Sequence, residues 1–360
     1  MLSLFGNKQF KAFGLDISDA SIKVMQLESS SNGFYPVAFA NVPLPAKVIN
    51  NHLIINELKL SQCINAAVNS AKNINTKYVV ASIPESKSFV RTLFISNMPE
   101  SEIESSLPWE LEQDIPVPID QVYLDWQVIR NVGDKMEVLV MAASKEYVDP
   151  LINSLKQAKL VPVALELDSQ SMVRALIGPD SFKKSMLVLD IATTQSTFII
   201  VENGVIQYTS SVPMAGNAFT ESIARALAIP FAAAEDLKRE KGLLTETKKG
   251  NIRGAILPVL DNIVDEIRNV ARFFEEHSDN HHTIDEVLIC GGSAKLLGIS
   301  DYIAARLNLG AGKSFSKVQL GNPWVNVLVG KMDKKFPISQ QDALGYTAVV
   351  GLALHGAKMD

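Results

Sequence analysis

Two stretches of this chain are variants of one pattern. FGLDISDASIKVMQLE begins at Phe13 and LVLDIATTQSTFIIVE begins at Leu187. Each reads as an apolar strand, an Asp-Ile pair, a short turn bearing Ser or Thr, and a second strand. The two aspartates, Asp16 and Asp190, are 174 residues apart. Asn-Gly follows each hairpin, at Asn32-Gly33 and Asn203-Gly204, and a strand ending in Val-Pro follows each Asn-Gly, at Val42-Pro43 and Val212-Pro213. Three landmarks recurring in one order predict a three-strand meander used twice. At 360 residues the length suits about two domains, so the repeat predicts two related halves.

The pattern also carries chemistry. Turn N–H groups and Ser or Thr hydroxyls bind phosphate oxygens. An Asp at a strand end repels bare phosphate but holds Mg²⁺ through water. Lys23 turns a cation toward the same place if its strand alternates as expected. Three further features suit a nucleotide. Pro213 to Gly216 leads into a helix near Asn217, which puts a helix N-terminus beyond the second hairpin. AAAEDLKREKG sets Glu235 and Lys238 at i, i+3; taken alone, that spacing reads as a solvated salt-bridge face. ICGGSAKLLGI follows an apolar strand, and Gly291 and Gly292 let a ligand approach the backbone closely.

Composition excludes several classes. The net charge of −5 gives the whole chain no pull toward nucleic acid. Cys63 and Cys290 form no CxxC, so both read as core residues in a reducing compartment. No apolar run reaches the ~18 residues of a membrane span, and MLSLFGNKQFK has no signal-peptide core, so a cytosolic protein is expected. His277, His281 and His282 read as an exposed polar loop rather than a metal site.

Between the hairpins, the run from Phe89 to Asp168 reads β-α-β-β-α-β, a compact inserted subdomain. Pro108 predicts a kink or break in its first helix. Trp126 lies in an alternating strand and reads as core, whereas Trp109 is free to face a partner. Helices read at Ile54 to Asn73, Asn217 to Ile229, Phe231 to Lys241 and Gly254 to His277, and Gly310 reads as the stop of the helix from Ile299.

Together these residues resemble the actin-like ATPase superfamily of actin, heat-shock chaperones, sugar kinases and FtsA. GLDISDASIK is similar to its first phosphate loop, LDIATTQST to its second, and VLICGGSAKLLGI to its adenosine motif. Within the superfamily, D-I-S-x-x-S-I-K at Asp16 to Lys23, the insert LEQDIPVPIDQVYLDWQVI and the tail ALGYTAVVGLALHG resemble the PilM family of type IV pilus assembly.

The resemblance implies an α/β, actin-like (ribonuclease H-like, duplicated) fold, with two halves around a nucleotide cleft. The halves are expected at about 1–180, with the βαββαβ insert at about 89–168, and at 181–333, with a helical part at about 231–285. A C-terminal helix in 334–360 is expected to return to the first half. The implied ligands are ATP and Mg²⁺. Asp16, Ser18, Ser21 and Lys23 match the first loop, and Asp190, Thr193, Thr194 and Ser196 the second. Gly216 matches the glycine near the ribose and phosphates, Glu235 and Lys238 the pair near the adenosine, and Gly291, Gly292 and Ser293 the adenosine loop. Asp16 and Asp190 are the implied metal and catalytic positions, with hydrolysis weak or absent. Ala192 and Ala215 stand where relatives often have Gly, and a methyl there crowds a phosphate if the backbone needs φ > 0.

The implied role is a scaffold on the cytoplasmic face of the inner-membrane platform. Its partner is the N-terminal cytoplasmic tail of PilN, lodged between the first subdomain and the insert. Other platform proteins and the motor ATPases are further implied partners, contact with the membrane runs only through them, and an oligomer is left open. In the implied mechanism ATP favours one closure state of the halves, with its own affinity for partners. An FtsA-like filament protein, a small-molecule kinase and a GspL-like secretion protein remain as alternatives. The first is expected to end in an amphipathic membrane helix, the second to carry a general base over an acceptor hydroxyl, and the third to carry a membrane span.

Overall fold

The computed structural model describes residues 2–3 (backbone), 11–31, 33–111, 118–244, 251–278, 282–309, 315, 317–327 and 337–359. Asn32, His281, Gly310 and the Glu112 to Val117 part of the insert lie outside them. The chain forms two compact units. One comprises Met1–Ser171, Ile206–Thr209 and Ala348–Asp360; the other comprises Met172–Val205 and Ser210–Thr347.

The first unit holds a six-stranded sheet. Its strand order is Leu2–Ser3, Val161–Leu167, Tyr78–Ile83, Phe13–Ile17, Ser21–Ser30, Gly33–Pro43. Val161–Leu167, Tyr78–Ile83 and Phe13–Ile17 run parallel, and the last three strands form an antiparallel meander. Phe13–Ile17 is buried along its whole length, the mark of a central strand covered on both faces. The helix Glu57–Ser70 is capped by Asn56, whose side chain accepts from Lys59 N, and the helix Lys145–Gln157 packs beside it.

The C-terminal helix Thr347–Lys358 crosses the first strand at close range. A Cβ on Gly14 would sit 2.6 Å from Ala353 N and 2.8 Å from Val349 O, and one on Gly351 would land on the Ser171 carbonyl. Apart from these glycines the contact is built from apolar side chains such as Leu352, packed with Ala12, Val80 and Ala164.

The βαββαβ run divides between two sheets of this unit. Ser88–Ser96, Lys135–Ser144 and Val122–Val132 are successive antiparallel neighbours, with residues 206–209 beside Ser88–Ser96, where Tyr208 pairs with Arg91. The helix Glu100–Leu111 buries Ile103, Leu107 and Leu111 on them, and Trp126 packs against that core. Lys145–Gln157 and Val161–Leu167 belong instead with the six-stranded sheet. From Pro162 onward Val161–Leu167 is fully buried, a pattern for a covered parallel strand and not for the edge of a small insert. Pro108 does not end its helix, which runs on to Leu111. The carbonyl that Pro108 leaves unpaired is that of Glu104, on the exposed side. Trp109 is 80% exposed.

Where the chain leaves Tyr78–Ile83 for the insert, Glu85 is buried (5% exposed) beside Ser169 and Thr209. Burial pushes its carboxyl up, against the pull of those two hydroxyls. A raised folded-state pKa adds stability below the unfolded value of 4.5 that is lost as pH rises through the folded value. Glu85→Gln keeps the neutral form at every pH. The variant should be the more stable at pH 8, by about 1–3 kcal/mol, and the advantage should shrink toward pH 5. Thermal unfolding at the two pH values checks this; a glutamine variant less stable at pH 8 would refute it.

The second unit is organised on the parallel strands Ser185–Ile191, Glu286–Cys290 and Lys317–Leu320, with Ser196–Glu202 antiparallel to the first of them. The helices Gly216–Leu227, Phe231–Lys241, Ile252–His277 and Ile299–Leu307 belong to the same unit. Ile256, Leu260, Ile263, Ile267 and Phe274 of the long helix are buried, as the helical spacing predicts. No helix of the described residues is long and apolar enough to cross a membrane.

Candidate functional site

The two hairpins place matching residues at matching positions. Asp16 pairs with Lys23 across the first and Asp190 with Thr197 across the second. Both aspartates are 7% exposed, at the ends of their strands.

In the first unit, Lys23 Nζ donates to Asp16 Oδ2 at 2.9 Å, with both side chains mostly buried. The turn is tied internally. Ser18 N donates to Ser21 O (3.0 Å), Ser18 Oγ donates to the same carbonyl (3.1 Å), and Ser21 N donates to Ser18 Oγ (3.1 Å). Serine is apt here because a hydroxyl both accepts and donates within a tight turn. Asp19 accepts from His52 N at 3.1 Å. Burial holds the His52 imidazole below its usual value despite Asp19 nearby, so it stays neutral at pH 7.

In the second unit three elements converge on one turn. The Ala192 carbonyl accepts from Gly216 N (3.1 Å) and from Ser293 Oγ (2.7 Å), while Thr193 O accepts from Asn217 N (2.8 Å). The second hairpin, the N-terminus of Gly216–Leu227 and the loop after Cys290 are thereby locked together. Thr193 is exposed and Thr194 half-buried, so both hydroxyls are within reach of a ligand. Ser196 is fully buried, and its hydroxyl donates to Met214 O at 2.5 Å. Ala192 is not among the residues of positive φ, and Ala215 is extended at φ −161. Neither position therefore needs glycine for its backbone.

Glu235 and Lys238 are not a solvated pair. Lys238 is 8% exposed, and its ammonium donates to Gly216 O (2.9 Å), Thr220 Oγ1 (2.8 Å) and Glu235 Oε2 (2.7 Å). Burial lowers the Lys238 pKa, and Glu235 opposes that shift. Burial works to raise Glu235, but Lys238, Thr220 and Arg239 outweigh it and hold the carboxyl below its ordinary value. The pair fastens Phe231–Lys241 to the start of Gly216–Leu227. A Cβ on Gly216 would strike Ser293 Oγ and lie 3.2 Å from Ala192 O.

Gly291 has φ +94, and a Cβ there would land on Asp190 Oδ1 and the Ile191 carbonyl. A Cβ on Gly292 meets nothing within 4 Å. Cys290 is fully buried at 3.8 Å from Asp190 Oδ1; burial first, then Asp190, pushes its thiol well up, which keeps it protonated and unreactive. Elsewhere in this unit His277 stacks on Phe273, and His282 pairs with Glu202. Among the described residues no three His, Cys, Asp or Glu side chains are placed to hold a metal ion directly.

The first unit also has a shallow hollow of about 20 Å³, room for about one water, that the motifs do not announce. Ile83, Leu165, Leu167 and Gln170 line it from the six-stranded sheet and the helix that follows, and Tyr123, Asp125 and Met141 to Ala143 line it from the insert. The signal was the alternation of Val122–Val132. Val122, Leu124, Trp126 and Val128 pack on the insert core, which leaves Tyr123 and Asp125 for the other face. Gln170 is held in place, donating to Met141 Sδ (2.7 Å) and accepting from Leu167 N (3.3 Å). Tyr123 Oη donates to Asp149 (2.9 Å), and the Lys145 ammonium sits 5.2 Å over its ring.

The family described as type IV pilus assembly protein PilM matches residues 14–357. A solved PilM–PilN type IV pilus biogenesis complex contains a chain 26% identical to this one. The match covers 97% of this chain and 99% of that one, with a TM-score of 0.83. The ethanolamine utilization protein EutJ from Carboxydothermus hydrogenoformans is 16% identical over 95% of this chain and 89% of its own, with a TM-score of 0.55. The fold is the α/β, actin-like one that the paired hairpins led us to expect.

Proposed function

This chain belongs to the PilM family of type IV pilus assembly proteins, and from that premise we propose that it is a nucleotide-binding scaffold of the pilus platform that takes the N-terminal tail of a PilN protein. The observation that carries this reading is the match along nearly the whole chain to the PilM of a PilM–PilN complex. We assign the tail to the hollow of the first unit, because its walls are the sheet and the insert. Its lining is apolar with a few fixed polar groups, suited to anchor one small side chain of the tail. The membrane is reached through PilN.

ATP with Mg²⁺ is the proposed ligand. The residues fit it on three counts. Asp16 and Asp190 are hard oxygen donors at strand ends, suited to Mg²⁺ that keeps its waters. Gly216 and Gly291 stand where a side chain would collide, and Gly292 opens onto free space. Thr193 and Thr194 leave hydroxyls outside the buried turn. In the second unit, Thr193 and Thr194 hold phosphate oxygens, Asp190 the cation's water, and Gly291, Gly292 and Ser293 border the adenosine. The Glu235–Lys238 pair keeps that border rigid. In the first unit Asp16 and Lys23 serve cation and phosphate, and the turn of Ser18 and Ser21, tied within itself, borders them. The ligand supplies charge and binding free energy that favour one state of the scaffold, and turnover is not required for that.

Calorimetry with Mg-ATP and with a synthetic PilN tail tests both halves of the reading. Wild type should bind Mg-ATP with a Kd on the order of micromolar. An Asp190→Ala, Lys23→Ala double variant should lose at least about thirtyfold, since each change removes a charge-assisted contact. The tail should bind with an affinity that changes when ATP is present. Binding of the tail with no binding of ATP would reduce the protein to an adaptor, and binding of ATP with no binding of the tail would remove the pilus reading.

A further inference from the structure

The turns of the two hairpins match residue for residue. Asp16 pairs with Lys23 as Asp190 pairs with Thr197. Each turn closes on the same main-chain bond, from Ser18 N to Ser21 O (3.0 Å) and from Ala192 N to Gln195 O (3.1 Å). Ser18 therefore matches Ala192, and the next residue, Asp19, matches Thr193. Thr193 is the exposed hydroxyl that the proposed site offers to phosphate. Asp19 puts a carboxylate at the matching place, and a carboxylate repels phosphate where a hydroxyl donates to it.

The structure draws that carboxylate aside. Beyond the meander, Ile49–Asn50 and Leu53–Ile54 pair as a small hairpin, with Asn51 and His52 as its turn. His52 N donates to Asp19 Oδ1 at 3.1 Å, and the imidazole Nδ1 lies 3.5 Å from the same oxygen. Both side chains are mostly buried, at 13% and 14% exposure. Leu44 N donates to Ala20 O (2.9 Å), so the segment from Leu44 to Ile54 grips both residues at the head of the phosphate turn. Asn51 and His52 have φ of +50 and +57. A two-residue hairpin turn of that kind takes Asn readily at its first place and favours glycine at its second. His52 occupies the glycine place at a conformational cost, and its ring covers Asp19.

We propose that His52 is a positioning residue of the first phosphate turn, holding the Asp19 carboxylate against the small hairpin and away from the phosphate. This rests on the reading that Mg-ATP binds at the first hairpin. His52 does not touch the nucleotide; it acts through Asp19.

Two substitutions and their combination separate this from a structural role. His52→Gly keeps the N–H and suits the left-handed backbone but removes the ring, so Asp19 can swing toward the ligand. Its unfolding temperature should stay within about 3 °C of wild type, because the relaxed backbone offsets the lost packing. Calorimetry should show Mg-ATP bound about three- to tenfold more weakly. Asp19→Asn keeps the acceptor oxygen and removes the charge, so it should bind Mg-ATP at least as tightly as wild type. In the double variant the loss should vanish, with an affinity equal to that of Asp19→Asn alone. Three results would overturn the proposal. Wild-type affinity in His52→Gly would show that the ring holds nothing the nucleotide meets. Weaker binding by Asp19→Asn would show that the carboxylate serves the ligand, and this near-isosteric variant decides the matter even if His52→Gly unfolds too early to titrate. A double variant as weak as His52→Gly would show that the ring shapes the turn whatever the charge at position 19. If wild type binds no Mg-ATP, the nucleotide reading itself fails and takes this proposal with it, and that failure appears in wild type alone.

Discussion

Gly291→Ala should destabilise the second unit by about 2–4 kcal/mol, a drop of about 5–15 °C in Tm for a unit of this size. The cost has two sources. At φ +94 and ψ 167 the backbone lies in a region that only glycine occupies without strain. The new methyl would also collide with Asp190 Oδ1 and with the Ile191 carbonyl, neither the far end of a flexible chain. Asp190 is the next-to-last residue of Ser185–Ile191, paired on one side with Thr197 and on the other with Cys290. To admit the methyl, the loop or Asp190 must move, and Mg-ATP binding should go with it. Gly292→Ala is the control, because a Cβ there is unobstructed and the residue lacks a positive φ. Its stability should stay within about 0.5 kcal/mol of wild type. If the adenosine lies against that backbone, Gly292→Ala should still weaken ATP binding. Thermal unfolding and calorimetry on the two variants decide it: a Gly291→Ala protein that melts with wild type would mean that the loop is not held as described.

These glycines could be read in advance from the apolar strand that runs into them. A strand running into Gly-Gly needs few assumptions, and the same holds for the hairpins. Strand alternation was expected to turn Lys23 toward the phosphate side of the first hairpin, and Lys23 lies opposite Asp16. Legibility ended where the deciding atoms lie far off in sequence. Glu235 and Lys238 at i, i+3 have the spacing of a solvated pair. Lys238 is buried because Gly216 O and Thr220 Oγ1, on another helix, close over the ammonium. Ser196 looked like a phosphate-binding hydroxyl by its place in the turn, but its hydroxyl is bonded to Met214 O. Val161–Leu167 gave a clear strand signal and no indication of its sheet, since periodicity reports burial and not the neighbour.

Ala143→Phe should abolish binding of the PilN tail while leaving Mg-ATP binding as in wild type. Ala143 lines the hollow from Lys135–Ser144, on the face away from the insert's own core. Ala143 is buried and the ring overfills the hollow it lines, so a stability loss of about 1–3 kcal/mol is expected with the fold retained. The tail, in contrast, would meet an occupied seat. Filling the centre of a small apolar site costs at least about 2 kcal/mol of binding, or about thirtyfold in Kd. Tyr123→Ala works from the other direction, by removing an aromatic wall whose hydroxyl is held only by exposed Asp149. A half-buried tyrosine at the edge of such a site is a frequent anchor, so a loss of about ten- to a hundredfold is expected, with little change in Tm. Fluorescence anisotropy of a labelled tail against the three proteins reads both effects. The pair matters because the two substitutions share no chemistry: one adds a ring and the other deletes one. If both weaken the tail and neither alters ATP binding, the shared cause is the hollow. If the tail binds Ala143→Phe as tightly as wild type, its seat lies elsewhere on the first unit. The exposed Trp109 face of the insert helix would then be the next surface to substitute.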